Sequence, residues 1–197
     1  MPLLLSSAYL PPISFFTAML ESGGEVFIEQ FDSYHKQTFR NRALIATSNG
    51  VQSLTIPVVK SEGGKMLMKD VRISDHGEWR HLHWNALETA YMNSPFFIYY
   101  QDDLRPFYEK RYEFLLDFNM ELTQTIADLV GMKCSFKRTE EFVAEPVEVT
   151  DMRAAIKGTT IPDEIMEIAT SLSYRDFITV GLLVNKLAIR NETLIRK

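Results

Sequence analysis

The chain predicts a mixed α/β fold, with an N-terminal βαβ unit and a β-hairpin packed with several helices. Three observations carry this expectation. Strand-like and helix-like segments alternate over roughly the first 30 residues. An Asn-Gly pair at 49 and 50 separates two strand-like runs. From Glu78 onward, apolar residues recur at helical spacing.

The elements follow in order. Leu3 to Ser6 is a short apolar run before Pro11-Pro12, as in a buried strand entering a loop. Ile13 to Ser22 has helical spacing, with Phe15, Phe16, Met19 and Leu20 on adjacent turns. Pro12 suits its start, since it lacks only an N–H that has no partner there, and Gly23-Gly24 stops it. Glu25 to Gln30 is the second strand. The hairpin is expected from Arg42 to Thr47 and from Gln52 to Val58, followed by a short strand at Val71 to Ile73.

Glu78 to Asn93 is the clearest helix, with Ser74 or Asp75 as its cap. Trp79, Leu82, Ala86, Leu87, Ala90 and Tyr91 share one arc, and His83 lies inside it. A short helix is expected within 96–110 and a long one from Tyr112 to Val130, closed by Gly131. Cys134 to Phe136 reads as one more strand, and 139–157 as irregular. Helical patterns at 161–171 and 176–189 complete the chain. The expected organisation is a main α/β domain over 1–138, with a helical segment over 139–197 packed on the same domain.

At 197 residues, 46% hydrophobic and 24% charged, the chain has the composition of an ordinary globular protein. A net charge of −5 argues against general nucleic-acid binding. No apolar stretch approaches the ~18 residues of a membrane span, so membrane insertion is not expected. One cysteine, Cys134, suits a reducing compartment, and the expected location is cytoplasmic.

The segment KQTFRNR, Lys36 to Arg42, holds three cations in an acidic chain. On an extended chain Arg40 and Arg42 point to one face, where two guanidinium groups can hold a phosphate or carboxylate. Asn41 then faces the other way. The plainer account is a solvated edge strand with protective charges. The loop after the first strand leads into a helix N-terminus, where ligands of parallel sheets bind. Tyr9 lies in that loop and offers a ring or a hydroxyl, or else packs in a tight connection. Neither standard glycine-rich phosphate cradle is present.

No metal site is expected. His81 and His83 point roughly 160° apart on a helix, and no H-E-x-x-H pair exists. His83 is the preferred general base, against a plainer reading as a hydrogen-bonded core histidine.

Together, YLPPISFF (Tyr9 to Phe16), EQFDSYHKQTFRNR (Glu29 to Arg42), LTIPV (Leu54 to Val58), WRHLHW (Trp79 to Trp84) and AYMNSPFFIYY (Ala90 to Tyr100) form a familiar order. They resemble the WbqC-like protein family of bacteria, in the form found in Bacteroides relatives, over roughly residues 3 to 130. The C-terminus departs: YRDFITVGLLVN at 174–185 stands where that form has a phrase like F-x-P-N-L-S-I-[IL]-D-L-L-F-N. The resemblance implies a setting in surface-polysaccharide (O-antigen) biosynthesis. It also implies work on nucleotide-linked or lipid-linked sugars, including acyl or aminoacyl transfer.

The leading expectation is therefore a transferase. Lys36, Arg40 and Arg42 would hold an anionic small molecule such as a nucleotide sugar. Tyr9 and Asn41 would shape its pocket, and His83 would act as base. No cofactor is indicated. The alternatives are a non-catalytic scaffold or interaction protein of a polysaccharide biosynthesis cluster, and a homodimer joined through the basic hairpin edge.

Overall fold

The computed structural model describes residues 1–154 apart from 48, 49, 61, 62, 95, 145 and 147. The helical patterns expected at 161–171 and 176–189 lie outside the described residues. Strand β1 (Leu3–Ser6) runs into helix α1 (Ile13–Glu21), and strand β2 (Glu25–Glu29) returns parallel to β1, with Leu3 facing Val26 and Ser6 facing Glu29. This is the expected βαβ unit. Pro12 caps α1, which buries Phe15, Phe16, Ala18 and Met19, while Leu20 is exposed.

Strand β5 (Ser135–Arg138) joins β2, and β6 (Thr150–Asp151) joins β1, both in parallel. The sheet order is β5-β2-β1-β6. The first two crossovers build outward from β1 on one side, and the chain then returns to its other side at β6. Such a reversal leaves a crevice outside the carboxyl ends of the two strands that flank it. β6 falls in the stretch read as irregular. Two residues flanked by charges and proline carry no strand periodicity, and pairing with β1 alone defines them.

The hairpin, β3 (Arg42–Thr47) and β4 (Gly50–Thr55), pairs from Arg42–Thr55 to Thr47–Gly50. β4 starts before the expected Gln52 and ends before Val58. Ile56 N–H still donates to Asn41 O at 2.8 Å, but Pro57 has no N–H and the ladder stops.

Helix α2 (Trp79–Tyr91) enters through a tight turn in which Gly77 and Glu78 have φ of +82° and +49°. Neither Ser74 nor Asp75 caps α2 with its side chain. Instead Trp79 Nε1 donates to Ser74 O at 3.1 Å, and Asp75 pairs with Arg80 at 2.6 Å. The buried face is Trp79, His83, Trp84, Leu87 and Tyr91, whereas Leu82, expected inward, is 59% exposed. Helices α3 (Phe97–Leu104) and α4 (Pro106–Glu109) turn that face, because they pack on Trp84: Phe97 and Tyr108 stand 6.1 and 5.8 Å from its ring.

Helix α5 (Leu115–Leu129) starts later than the expected Tyr112. Glu113 O and Leu115 N–H are held by backbone bonds to Ile73 and Val71, which keeps Phe114 extended. α5 ends at Gly131, φ +74°, where Gly131 N–H bonds Asp128 O and Met132 N–H bonds Ala127 O. Fully buried Phe118 packs on the rings of Tyr9, Trp79, Phe107, Tyr108 and Tyr112, joining α2, α4 and α5 to the end of β1. No helix among the described residues is long and apolar enough to cross a membrane.

Candidate functional site

The carboxyl end of β1 gathers three distant segments. Asn119 Nδ2, on the inner face of α5, donates to Ser7 Oγ at 2.9 Å and to Arg40 O at 2.8 Å. Tyr9 N–H donates to Phe39 O at 2.7 Å. KQTFRNR is thus tied directly beside the strand end. Arg40 Nη2 pairs with Asp32 and donates to Ser6 Oγ at 3.1 Å, and Ser6 Oγ donates to Asp32 at 3.0 Å.

The side chain of Arg40 is only 14% exposed. All its side-chain bonds among the described residues run from Nη2, and its Nε is buried without a partner. The hydroxyl of Tyr34, held above its ordinary pKa mainly by burial and drawn back by the Arg40 charge, is a second buried polar atom without a partner. Asn119 Oδ1 is a third. Buried donors and acceptors in folded proteins nearly always have partners. Arg40 Nε, Tyr34 Oη and Asn119 Oδ1 are three exceptions near the carboxyl end of β1, and Asn41 Oδ1 at the hairpin base and Arg80 Nη2 on α2 are two more.

The structure divides the expected site residues. Arg40 does not share a strand face with Arg42. Thr38 O accepts from both Asn41 N–H (3.2 Å) and Arg42 N–H (3.0 Å), so the chain turns at Arg40 and strand alternation begins only at Arg42. Arg42 Nε is used across the hairpin on Thr55 Oγ1 at 3.2 Å. Asn41 is buried at the hairpin base, its Nδ2 on Ile56 O at 3.0 Å. Lys36 is exposed in the preceding turn. Tyr9 and His83 meet each other rather than Arg40.

Their meeting is a buried chain of hydrogen bonds. His83, 5% exposed, has a backbone hydrogen bond at Thr55 that takes one ring nitrogen, leaving Nδ1, 2.9 Å from the Tyr9 hydroxyl, as acceptor. Tyr9 then donates to His83 and accepts from Tyr108 at 3.0 Å. Burial pushes both tyrosines well above their ordinary pKa. Burial also pushes His83 from 6.5 down to about 4, so it is neutral at physiological pH.

A linkage effect follows. The unfolded chain protonates His83 below 6.5, and the folded chain only near 4. Stability from this residue is complete above 6.5, falls as pH drops, and levels off below about 4. The full loss is roughly 3 kcal/mol. His83→Asn should remove that slope from urea-unfolding free energies measured across this pH range.

The far side of the crevice is an ionic network. Glu29, fully buried at the end of β2, accepts from Phe31 N–H, Thr139 Oγ1, Val143 N–H and Arg153 Nη1. Arg153 also pairs with Asp151 at 2.8 Å and holds that carboxyl below the usual range. Sequence reading passed over Asp32, Glu29, Asn119 and Arg153. Two had a readable signal: Asn119 is polar on an otherwise apolar helix face, and Glu29 is a charge at the carboxyl end of a central strand. Asp32 and Arg153 join the network through Ser6 and Glu29, 26 and 124 positions away in sequence. Among the described residues, no group of His, Cys, Asp and Glu is arranged to hold a metal ion.

Comparison with known proteins is consistent with this order of motifs. Over 130 residues the chain is 30% identical to the uncharacterized protein Rv1507c of Mycobacterium tuberculosis, covering 66% of this chain. The match spans 55% of that protein, about half its length. No solved structure matches. Residues 6–180 match the WbqC-like protein family, well past the motifs that end near residue 100. With most of its length matched, this chain belongs to the WbqC-like protein family.

Proposed function

We propose that the protein binds an anionic, nucleotide-linked or lipid-linked sugar at the carboxyl end of β1. It would act there as an acyl- or aminoacyl-type transferase in bacterial surface-polysaccharide biosynthesis. One observation carries the binding site: Arg40 is fixed by Asp32 and Ser6 yet keeps Nε unpartnered, at the reversal point of a parallel sheet. A fixed guanidinium with a free edge is pre-set for a phosphoryl or carboxylate oxygen. The Tyr34 hydroxyl adds a neutral donor, and Lys36 is an exposed cation four positions before Arg40. The resemblance to a family associated with polysaccharide gene clusters supplies the setting and the reaction class. His83 would act through Tyr9, since the imidazole is buried behind it.

Titration calorimetry with nucleoside-diphosphate sugars tests this. Losing charge-assisted hydrogen bonds from Arg40 should weaken binding roughly 10- to 100-fold in Arg40→Ala. Arg42→Ala should bind as the wild type does, because that guanidinium is engaged on Thr55. Equal binding by Arg40→Ala and wild type would remove Arg40 from the site.

A further inference from the structure

Strand β4 (Gly50–Thr55) is one edge of a two-stranded sheet, with no strand beyond it among the described residues. Its first four residues, Gly50 to Ser53, are all exposed, Val51 by 48%. The register shows which backbone groups face outward. Ile56 N–H donates to Asn41 O, so the alternating pairs Ala43–Leu54, Ile45–Gln52 and Thr47–Gly50 are the ones that exchange backbone bonds. Val51, Ser53 and Thr55 lie between them, and their N–H and C=O groups point away from β3. Thr55 turns that side to the His83 ring, whereas Val51 and Ser53 have no backbone partner among the described residues.

A row of free backbone groups recruits another strand unless charge, proline or a bulge blocks it. β4 reads GVQSLT and has no charge and no proline. Its pairing runs one to one from Arg42–Thr55 to Thr47–Gly50, so it has no bulge. The one charge of residues 42–55 is Arg42, which stands on β3 and reaches Thr55 Oγ1 at the far end of the ladder. Pro57 lies past the last backbone bond. The edge is therefore open and neutral.

Charge and symmetry both point to a second copy of this chain as the occupant. Two chains of net charge −5 repel wherever their carboxylates approach. Residues 33–61 contain no Asp or Glu, although the chain has 26 of them. The β4 edge lies within that stretch, so two copies can touch there without their carboxylates meeting. The free groups are also self-complementary. Antiparallel pairing about a two-fold axis at Gln52 sets Val51 against Ser53 of the second copy, and Ser53 against its Val51, each pair exchanging both N–H···O bonds. Gln52 then meets Gln52 across the axis, two amides able to bond each other. Gly50 faces Leu54 with no side chain to clash.

We propose that the chain forms a two-fold dimer by β4–β4 pairing, which joins two hairpins into one antiparallel sheet. Stable interfaces use roughly 20–30 residues a side. An edge of four exposed residues makes a weaker, concentration-dependent contact, with a dissociation constant of about 10–100 µM. It uses none of the groups assigned to the Arg40 site.

Sedimentation equilibrium of the full chain from about 5 to about 500 µM brackets that range. The mass should rise from 22.7 kDa toward twice that value. The double variant Val51→Lys, Ser53→Lys sets lysines directly opposite each other across the axis and should stay monomeric throughout. Both side chains are exposed, so at the lowest concentration this variant should melt at the wild-type temperature. Ile98→Lys, which charges an exposed apolar side chain on α3, should associate as the wild type does. Cross-linking tests the register in a Cys134→Ser background. Gln52→Cys meets its own copy in a pair with Cα atoms about 4.5 Å apart, within disulfide reach, whereas Val51→Cys faces a serine. Gln52→Cys should therefore oxidise to a dimer roughly tenfold faster than Val51→Cys. The proposal is overturned by a chain that stays monomeric at the highest concentration, by association that survives the paired lysines or is lost in Ile98→Lys, or by Val51→Cys cross-linking as fast as Gln52→Cys.

Discussion

Glu29→Ala should destabilise the protein by about 3–5 kcal/mol, the usual result of breaking a buried ion pair from one side. Glu29 has no solvent exposure. Removing its carboxylate strands four donors: Phe31 N–H and Thr139 Oγ1, each at 2.9 Å, Val143 N–H at 3.1 Å and Arg153 Nη1 at 3.3 Å. For a chain of this size the loss corresponds to a melting temperature lower by roughly 10 °C. The damage should also be uneven. β6 is two residues long and holds β1 through Thr150 N–H on Pro2 O and Met152 N–H on Leu4 O. Nothing so short persists on its own backbone bonds. The Arg153–Glu29 pair and the Thr139 and Val143 bonds fasten the stretch that leads to and from it. Hydrogen exchange at Thr150 and Met152 should therefore accelerate in Glu29→Ala beyond the global loss, while Val26 and Ile28 follow the global value. Uniform acceleration, or a loss below about 1 kcal/mol, would show that β6 is held by something else.

The contrast between β6 and the rest of the sheet shows what the sequence makes legible. β1, α1 and β2 declare themselves locally, through an apolar run, proline at a helix start, a glycine stop and a β-rich pentamer. α5 even announces its Gly131 cap. β6 has no local signal, because its conformation comes from a partner strand about 145 positions earlier. The buried face of α2 differs from the sequence expectation for a related reason. Leu82 and Trp84 compete for the inner arc, and only the arrival of α3 and α4 beside Trp84 decides between them.

The candidate site behaves the same way. KQTFRNR was visible as a charge anomaly, and Arg40 within it does stand at the strand end. Its pairing with Arg42 rested on treating Arg40 as extended. The Thr38 turn, fixed by bonds at 3.2 and 3.0 Å, separates the two arginines and sends one to the crevice and the other to the hairpin. In the sequence Tyr9 and His83 stand out only as lone residues, yet their significance is mutual: a 2.9 Å bond across 74 positions of sequence. Spacing rules reach a turn or a strand. They do not reach contacts that exist only once helices have docked.

Gly24→Ala should be the most damaging single methyl addition among the described glycines, at about 3 kcal/mol or more, whereas Gly23→Ala should cost about 1 kcal/mol. Both glycines follow α1 with positive φ, +82° at Gly23 and +96° at Gly24, so an L-residue at either is strained. They differ in surroundings. A Cβ at Gly23 meets nothing within 4 Å, while one at Gly24 falls 2.4 Å from Lys133 O and 3.4 Å from its carbonyl carbon. Those atoms are backbone and cannot swing aside like the tip of a side chain. They also belong to the residues that bring in β5, since Ser135 N–H donates to Gly24 O at 2.8 Å. Relieving the clash therefore means shifting the first rungs of the β2–β5 ladder, where Glu25 faces Ser135. From sequence, Gly23-Gly24 is simply a helix stop. In the fold only the first glycine does that and no more, and the second is where one strand passes close over another. Denaturant midpoints for the two variants, measured side by side, separate these roles. Equal losses would mean that conformational strain alone acts at both positions, and that β5 can move aside without cost.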